Sequence, residues 1–227
     1  MSELSPTERS TIHRGRKRAV TDRDALHAVL DAGLICHLAF VADGAPVVLP
    51  TGYGRHGDTL YLHGSTGAAS LRAAGAGAEI CVNVTLLDGI VYSRAVFHFS
   101  ANYRSAVVHG QAEPVTGREE KLAALRVITE HLAPGSWDYA REPNQRELAA
   151  TAVLALDLTE AAVKIRTGPP GDEPEDLDRP TWAGWLPLHR SWGTPRDCPL
   201  LPDGVAVPAH VTGRPAPDQD TRDSATG

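Results

Sequence analysis

The sequence has few of the features that mark membrane, secreted or nucleic-acid-binding proteins. No apolar run approaches the roughly 18–20 residues that a membrane-spanning helix needs. The amino-terminal residues Met-Ser-Glu-Leu-Ser-Pro-Thr-Glu-Arg lack the apolar core of a secretory signal. The formal net charge of -6 argues against a broad basic face for nucleic acid. We therefore expect a cytoplasmic protein whose partners include neither membrane nor nucleic acid.

Cysteine is also scarce. Cys36, Cys81 and Cys198 are an odd number at wide, unpatterned spacing, which predicts neither a disulfide framework nor a metal site. Cys36 and Cys81 lie inside apolar strand patterns and are expected to behave as small buried hydrophobes.

The 227 residues fit one domain with terminal extensions. We predict a flexible amino-terminal arm over residues 1–20, a domain over 21–207 and a disordered tail over 208–227, whose composition cannot bury a core. The arm carries Arg14, Arg16, Lys17 and Arg18. This basic cluster is short and followed by acids, so we interpret it as solvated or locally paired.

Hydrophobic periodicity predicts a mainly β (α+β) protein. A period near 3.6 predicts a helix after Thr21-Asp22, and further helices are predicted near 68–74 and 117–133. Alternation of period two predicts strands at 34–41, 46–53, 59–63, 79–87, 104–115, 152–158 and 161–166. About seven short strands with marginal helices indicate a small antiparallel barrel with peripheral helices.

Two local features refine this barrel. Asp88-Gly89 is predicted to be a turn. Pro50 removes a ladder donor and belongs at an edge or a bulge. A bulge beside Thr51 and Gly52 would let the backbone approach a flat ligand.

The stretch from His98 to Gly110 is unusual because a polar entrance precedes a β-branched run. One interpretation is a hairpin arm whose polar residues face water. The other is a ligand-facing strand on which Arg104 and its neighbours present donors to an anionic cofactor, since unpaired buried polar groups are costly.

The same stretch, Ser-Ala-Asn-Tyr-Arg-Ser-Ala-Val-Val-His-Gly (100–110), resembles a signature of pyridoxamine 5'-phosphate oxidase-like flavin-nucleotide-binding proteins. The likeness is greatest to the branch with the nitroimidazole-reductase-type proteins. Further matching pieces lie at 48–53, 60–65, 164–168 and 182–188, and the resemblance spans about 14–187. It implies a split antiparallel β-barrel of the FMN-binding type, usually a homodimer with FMN in clefts between the subunits.

The resemblance also implies a set of site residues. Those expected to bind the cofactor are Pro50, Thr51, Tyr53, His63, Gly64, Ser65, Thr66, Asn102, Tyr103, Arg104, Ser105 and Trp185. His63 or Tyr103 is the candidate for proton delivery. Arg104 is the candidate phosphate anchor, because many oxidase-type relatives carry an Arg-Lys pair where this chain has Ala68-Ala69-Ser70. Arg166, Lys164 and backbone donors are the other candidates for binding the phosphate, and weak FMN binding is the alternative. Pyridoxamine phosphate oxidation itself is not expected.

Three functions follow from these expectations. The first is an FMN-dependent oxidoreductase acting on a small molecule. The second is a protein that holds flavin or haem without turnover, with His63, His98 and His109 as candidate axial ligands. The third is a structural dimer that has lost its cofactor. FMN is favoured over FAD because the 64–67 turn offers donors for one phosphate and no dinucleotide fingerprint is present.

Overall fold

A computed structural model describes residues 3–4 and 7–217 of the chain. Its strands are β1 Ala19–Val20, β2 Ile35–Ala42, β3 Ala45–His56, β4 Thr59–Ser65, β5 Glu79–Tyr92, β6 Ser100–Gln111, β7 Glu113–Pro114, β8 Thr151–Asp157, β9 Ala161–Arg166 and β10 Gly184–Pro187. Its α-helices are α1 Arg23–Ala32, α2 Ala69–Gly75, α3 Arg118–Leu132, α4 Gln145–Ala150 and α5 Ala209–Thr212. None of the helices in this part of the chain is long and apolar enough to cross a membrane.

The strands form one 10-stranded antiparallel sheet in the order β1-β9-β6-β5-β2-β3-β4-β8-β7, with β10 paired to β5. The predicted mainly β barrel with peripheral helices is therefore confirmed. The sequence patterns missed β1 and β10, which have 2 and 4 residues, and merged the 2-residue β7 with β6 in the strand predicted at 104–115. Strands this short carry no measurable hydrophobic period.

The sheet splits where β3 changes partner. Ile35 of β2 pairs with Gly52, whereas Tyr53 pairs with Leu62 of β4. Pro50 therefore lies in the half of β3 that has one neighbouring strand, where a missing donor breaks no second ladder. The edge position is confirmed. The bulge expected beside Thr51 and Gly52 is wrong, because the register between β2 and β3 runs without a shift.

The predicted turn at Asp88-Gly89 is also wrong. β5 continues through these residues, with a register shift between Leu87 and Gly89 that marks a β-bulge. Strand β10 covers the bulge so closely that a Cβ on Gly89 would lie 2.6 Å from the Leu186 carbonyl oxygen. An Asp-Gly pair suits a bulge as well as a turn, and only the neighbouring strand distinguishes them.

The core lies between the sheet and α1. Asp22 caps α1 by accepting a hydrogen bond of 3.1 Å from the Asp24 amide. The helix then buries Leu26, Val29 and Leu30 where it packs against β3, β5, β6 and β9. The largest fully buried side chains include Tyr53, Leu26, Leu30, Leu38, Leu60, Leu62, Leu156 and Leu158.

The amino-terminal arm, predicted to be flexible, packs against the barrel where the structure describes it. Leu4 is only 5% exposed and joins the core. Arg9 reaches Glu79 at 2.7 Å and Glu160 at 3.1 Å, and β1 pairs with β9. Polar composition alone could not show these long-range partners.

The tail, predicted to be disordered from residue 208, contains α5. Arg214 donates a 2.6 Å hydrogen bond to the Leu132 carbonyl and stacks 3.9 Å from the centre of the Trp192 ring. Residues 218–227 of the predicted tail lie outside the described residues.

A substitution at Gly54 tests how closely α3 packs on β3, next to the residue where β3 changes its partner strand. A Cβ at this position would lie 2.8 Å from both the Ile128 Cα and the Val127 carbonyl oxygen, which are backbone atoms that cannot rotate away. We expect Gly54→Ala to lower the free energy of unfolding by about 2–3 kcal/mol, or about 4–12 °C in Tm. Thermal unfolding followed by circular dichroism measures this. The control is Gly193→Ala, whose Cβ would meet nothing within 4 Å, and equal Tm values for the two variants would contradict the packing argument.

Candidate cofactor sites

His63 occupies an unusual environment on β4. Its Nδ1 atom is buried and has no hydrogen-bond partner. Burial lowers the pKa of the imidazole, so the ring is neutral at pH 7. Buried polar atoms are rarely left unpaired in folded proteins, which makes this ring nitrogen a candidate contact for a bound group.

His63 lines a cavity of about 410 Å³. Helix α3 forms one wall through Leu125 and Thr129. The other lining residues are Ser136, Trp137, Ala140, Arg141, Pro143, Glu147 and Thr151. The cavity is thus shaped by β4, α3 and the 133–144 loop, and it combines one neutral imidazole with mostly uncharged side chains.

The loop that closes this cavity is held by hydrogen bonds at both ends. Glu130 accepts from the amides of Gly135 at 2.7 Å and Trp137 at 2.8 Å, and these bonds lower the pKa of its carboxyl. At the other end, Asn144 and Glu147 form a capping box on α4. The walls are therefore fixed by the polypeptide itself.

The carboxy-terminal segment supports the same loop from outside. The rings of Tyr139 and His210 lie 5.1 Å apart, and a Cβ on Gly135 would meet the His210 Cβ at 2.8 Å. Together with the contact from Arg214 to Leu132, this segment braces the end of α3 and the residues that follow it.

Asn102 belongs to a second polar cluster at the start of β6. It is 5% exposed, and its amide donates to the Gly168 carbonyl at 3.2 Å while its Oδ1 accepts from Arg166. Tyr103 and Ser105 are half-buried on the same strand. Asn102 therefore fixes Arg166 and the loop after β9.

Arg104, the predicted phosphate anchor, forms a two-donor ion pair with Asp88. The distances are 3.0 Å from Nε to Oδ2 and 2.9 Å from Nη2 to Oδ1, and the side chains are only 14% and 10% exposed. The acid comes from the bulge of the neighbouring strand β5, so a search along the local sequence does not find it. A phosphate at Arg104 would have to compete with this carboxylate.

Tyr53 is placed in the core rather than on a cofactor surface. It is 0% exposed, and its hydroxyl donates to the carbonyls of Leu30 and Gly33, the latter at 3.0 Å. Its ring centre lies 4.7 Å from that of His131. The match to a family motif did not show which way this side chain points, because β3 changes partner at this residue.

The other predicted site residues are spread over three places. Pro50 is exposed on β3 and Thr51 is half-buried beside it. Gly64 is half-buried, Ser65 and Thr66 are exposed, and the Ser65 hydroxyl accepts from the Gly67 amide at 3.1 Å instead of capping α2. Trp185 is 47% exposed on β10.

The sheet does not gather these residues at one point of a single chain. Three strands, β5, β2 and β3, separate β6 from β4 along the sheet. The group at Asn102–Ser105 and the group at His63–Thr66 thus belong to different regions. Sequence reasoning missed the wall residues Leu125, Thr129 and Trp137, although an apolar stripe on α3 followed by Pro-Gly and Trp was visible.

Comparison with known protein families and solved structures shows what this chain is similar to. A family profile described as pyridoxamine 5'-phosphate oxidase matches residues 22–165, more than half of the sequence. The chain belongs to the pyridoxamine 5'-phosphate oxidase-like family. A search of curated proteins finds no match.

Two solved structures are similar to this family member over almost their whole length. The flavocytochrome Anf3 from Azotobacter vinelandii is 35% identical with a TM-score of 0.88, and the match covers 92% of this chain and 98% of that one. The FAD and haem binding protein from Mycobacterium smegmatis is 38% identical with a TM-score of 0.84, covering 88% and 98%.

A more distant structure shares the fold. It is designated a 5-nitroimidazole antibiotic resistance protein, from Bacteroides thetaiotaomicron, and is 21% identical with a TM-score of 0.54 over 65% of this chain and 86% of that one. At this identity the likeness supports the split-barrel architecture and nothing finer.

The pair of Arg104 and Asp88 gives a direct test of the sequence prediction. We expect Arg104→Ala to lower the free energy of unfolding by about 3 kcal/mol, because it removes both hydrogen bonds of an ion pair whose side chains are largely buried. The double variant Asp88→Asn with Arg104→Gln should lose less, since neither side then carries an unpaired charge. Urea unfolding of both variants measures the difference.

Flavin affinity separates the two roles of Arg104. If Arg104→Ala folds as stably as the wild type and loses flavin affinity, Arg104 is a cofactor anchor and the structural role is wrong.

Proposed function

We propose that the protein is an oxidoreductase that binds a flavin and a haem and transfers electrons between them and a small molecule. The observation that carries this proposal is the neutral imidazole of His63, with a buried, unpartnered ring nitrogen at a mostly uncharged cavity. The two relatives above 30% identity support it, since one is named a flavocytochrome and the other an FAD and haem binding protein.

His63 is the best axial ligand among the three histidines that the sequence offered. His98 lies 3.9 Å from the Glu173 carboxylate, and His109 is half-buried within β6. Among the residues that the structure describes, His63 alone of the histidines has a buried ring nitrogen without a partner. A neutral imidazole is the form that coordinates a metal.

The cavity around His63 suits a large flat apolar group. Leu125 and Trp137 supply apolar wall, and the charges of Arg141 and Glu147 at its edge are paired with each other at 2.8 Å. A haem in this position would supply one-electron chemistry. The polypeptide would hold it, exclude water and keep His63 deprotonated.

The flavin is proposed to lie at a homodimer interface, as the family resemblance implies. Exposed apolar side chains on β2, β3, β5 and β10 support an interface on that side, with Ile35 47%, Val48 59%, Leu87 44% and Trp185 47% exposed. FMN is the sequence expectation and is consistent with the family, and the name of the mycobacterial relative supports FAD as the flavin in this proposal.

Haem binding depends on His63 in this proposal. We expect purified wild type, reconstituted with haem, to show a Soret band and His63→Ala to lose it or bind haem at least tenfold more weakly, because the axial bond is removed. Absorbance titration with haemin measures this, and circular dichroism confirms that the variant is folded. His98→Ala and His109→Ala are matched controls and should keep the band. A full Soret band in folded His63→Ala would contradict the assignment of His63 as the haem ligand.

Flavin identity is a separate outcome. We expect FAD to bind more tightly than FMN, and reduction of the bound flavin under anaerobic conditions to be followed by reduction of the haem. Fluorescence quenching measures the two affinities, and the visible spectrum follows the electron. Tighter binding of FMN would restore the sequence expectation. A haem that stays oxidised beside reduced flavin would indicate binding without transfer.

A further inference from the structure

A second cavity, of about 550 Å³, lies at the other end of the sheet from the His63 cavity. Three cations line it: Lys17 and Arg18 from the amino-terminal arm and Arg166 from the end of β9. The remaining lining residues come from the 97–100 segment and the loop after β9, and they are Phe97, His98, Phe99, Ser100, Ile165, Thr167, Pro169, Pro170 and Gly171. This basic cavity is formed by segments far apart in the sequence.

The charge in the basic cavity is not compensated by the protein. Within the described part of the chain, Lys17, Arg18 and Arg166 form no ion pair with a carboxylate. Arg166 donates to the Asn102 Oδ1 and to backbone carbonyls, including that of Pro169 at 3.3 Å. Burial and the nearby charge of Arg18 lower the pKa of Arg166. Three cations that line one cavity give it a positive potential that attracts an anion.

The two acids near the basic cavity either bind other residues or lie too far from the cations to neutralise them. Asp172 accepts from the Ser93 hydroxyl and binds Arg94 at 2.6 Å. Glu173 is 57% exposed and lies 3.9 Å from His98, beyond hydrogen-bond distance. Neither acid neutralises the three cations.

The basic segment of the arm is held in place. Lys164 donates to the Arg14 carbonyl at 3.1 Å, and Gly15 adopts the left-handed conformation with φ 73° that starts the short 3₁₀ turn Arg16–Arg18. Strand β1, directly after this turn, pairs with β9. The side chains of Lys17 and Arg18 are therefore brought to the end of β9, where Arg166 stands.

Aromatic surface lies beside these cations. Phe97 is 91% exposed and Phe99 is 49% exposed, although both line the basic cavity. Exposed aromatic faces next to a cluster of cations are the arrangement that binds a nucleobase and its phosphate together.

We propose that the basic cavity binds an adenosine phosphate, with phosphate oxygens held by Lys17, Arg18 and Arg166 and the base against Phe97 or Phe99. Two ligands could be the source of this adenosine phosphate group. One is FAD, through its adenylate half, and the other is a reduced pyridine dinucleotide that delivers electrons. Both sources rest on the proposed function, because the dinucleotide would transfer its hydride to the flavin of the protein.

The test uses Lys17→Ala with Arg18→Ala, because these side chains are not part of the core and their loss leaves the Arg166–Asn102 bond intact. Arg16→Ala is the matched control, since Arg16 belongs to the same 3₁₀ turn but lines a different cavity. The probes are ADP by isothermal titration, FAD and FMN by fluorescence quenching, and NADH by steady-state kinetics. Loss of the two cations should weaken the bound phosphate about tenfold or more.

The outcomes identify the source. If the adenylate of FAD occupies the cavity, the double variant binds FAD at least tenfold more weakly, binds FMN as the wild type does, and the FAD-loaded protein binds no ADP. If a dinucleotide occupies it, ADP binds the flavin-loaded wild type, and the double variant raises the KM for NADH about tenfold with FAD affinity unchanged. Arg16→Ala should match the wild type in every measurement.

The proposal is overturned if the double variant matches the wild type toward ADP, FAD and NADH. It is overturned equally if Arg16→Ala shows the same losses, which would indicate a general charge effect. Flavin and Soret spectra recorded on the same samples separate this result from failure of the proposed function, because those bands report on cofactors whether or not the basic cavity is used.

Discussion

The switch of strand partner at Gly52 and Tyr53 is the constraint on which the rest of the structure depends. Tyr53 sits at this point with its hydroxyl tied to the carbonyls of Leu30 and Gly33, so the end of α1 is joined to the split in the sheet. His131 of α3 donates from Nε2 to the same Gly33 carbonyl, at 2.6 Å. Because α1, β3 and α3 meet here, the position of α3 over β4, and so the shape of the His63 cavity, follows from this junction.

The two cavities differ in charge because different segments close them. The His63 cavity is walled by α3 and the 133–144 loop, whose charged groups are used in caps and pairs such as Glu130 with two amides and Glu147 with Arg141. The basic cavity is closed by the arm and the loop after β9, and none of its lining residues is acidic. One fold thereby forms a cavity whose charged side chains are paired and a cavity lined by three cations, on separate parts of the same sheet.

Arg104 and Tyr53 show why residues of a family signature do not keep one role. Each matches the expected pattern, yet one is paired with Asp88 across a bulge and the other is buried beneath α1. A bulge changes which side chain of β5 lies opposite β6, and a partner switch changes which face of β3 is covered. Both side chains are therefore engaged by residues that are distant in the sequence, which the signature by itself does not show.

The sequence by itself determined the architecture, because hydrophobic periods and caps act over a few residues: the alternating strands, the amphipathic α1 and the edge position of Pro50 all follow from local chemistry. It also marked His63 and Asn102 as polar residues in unusual surroundings. Only the tertiary structure decided that Asp88 neutralises Arg104, that the arm brings Lys17 and Arg18 to Arg166, and that Trp137 closes the His63 cavity. These contacts join residues that are far apart in the chain. The charge and the burial of each side chain there depend on which segments meet, and a local sequence pattern does not contain that information.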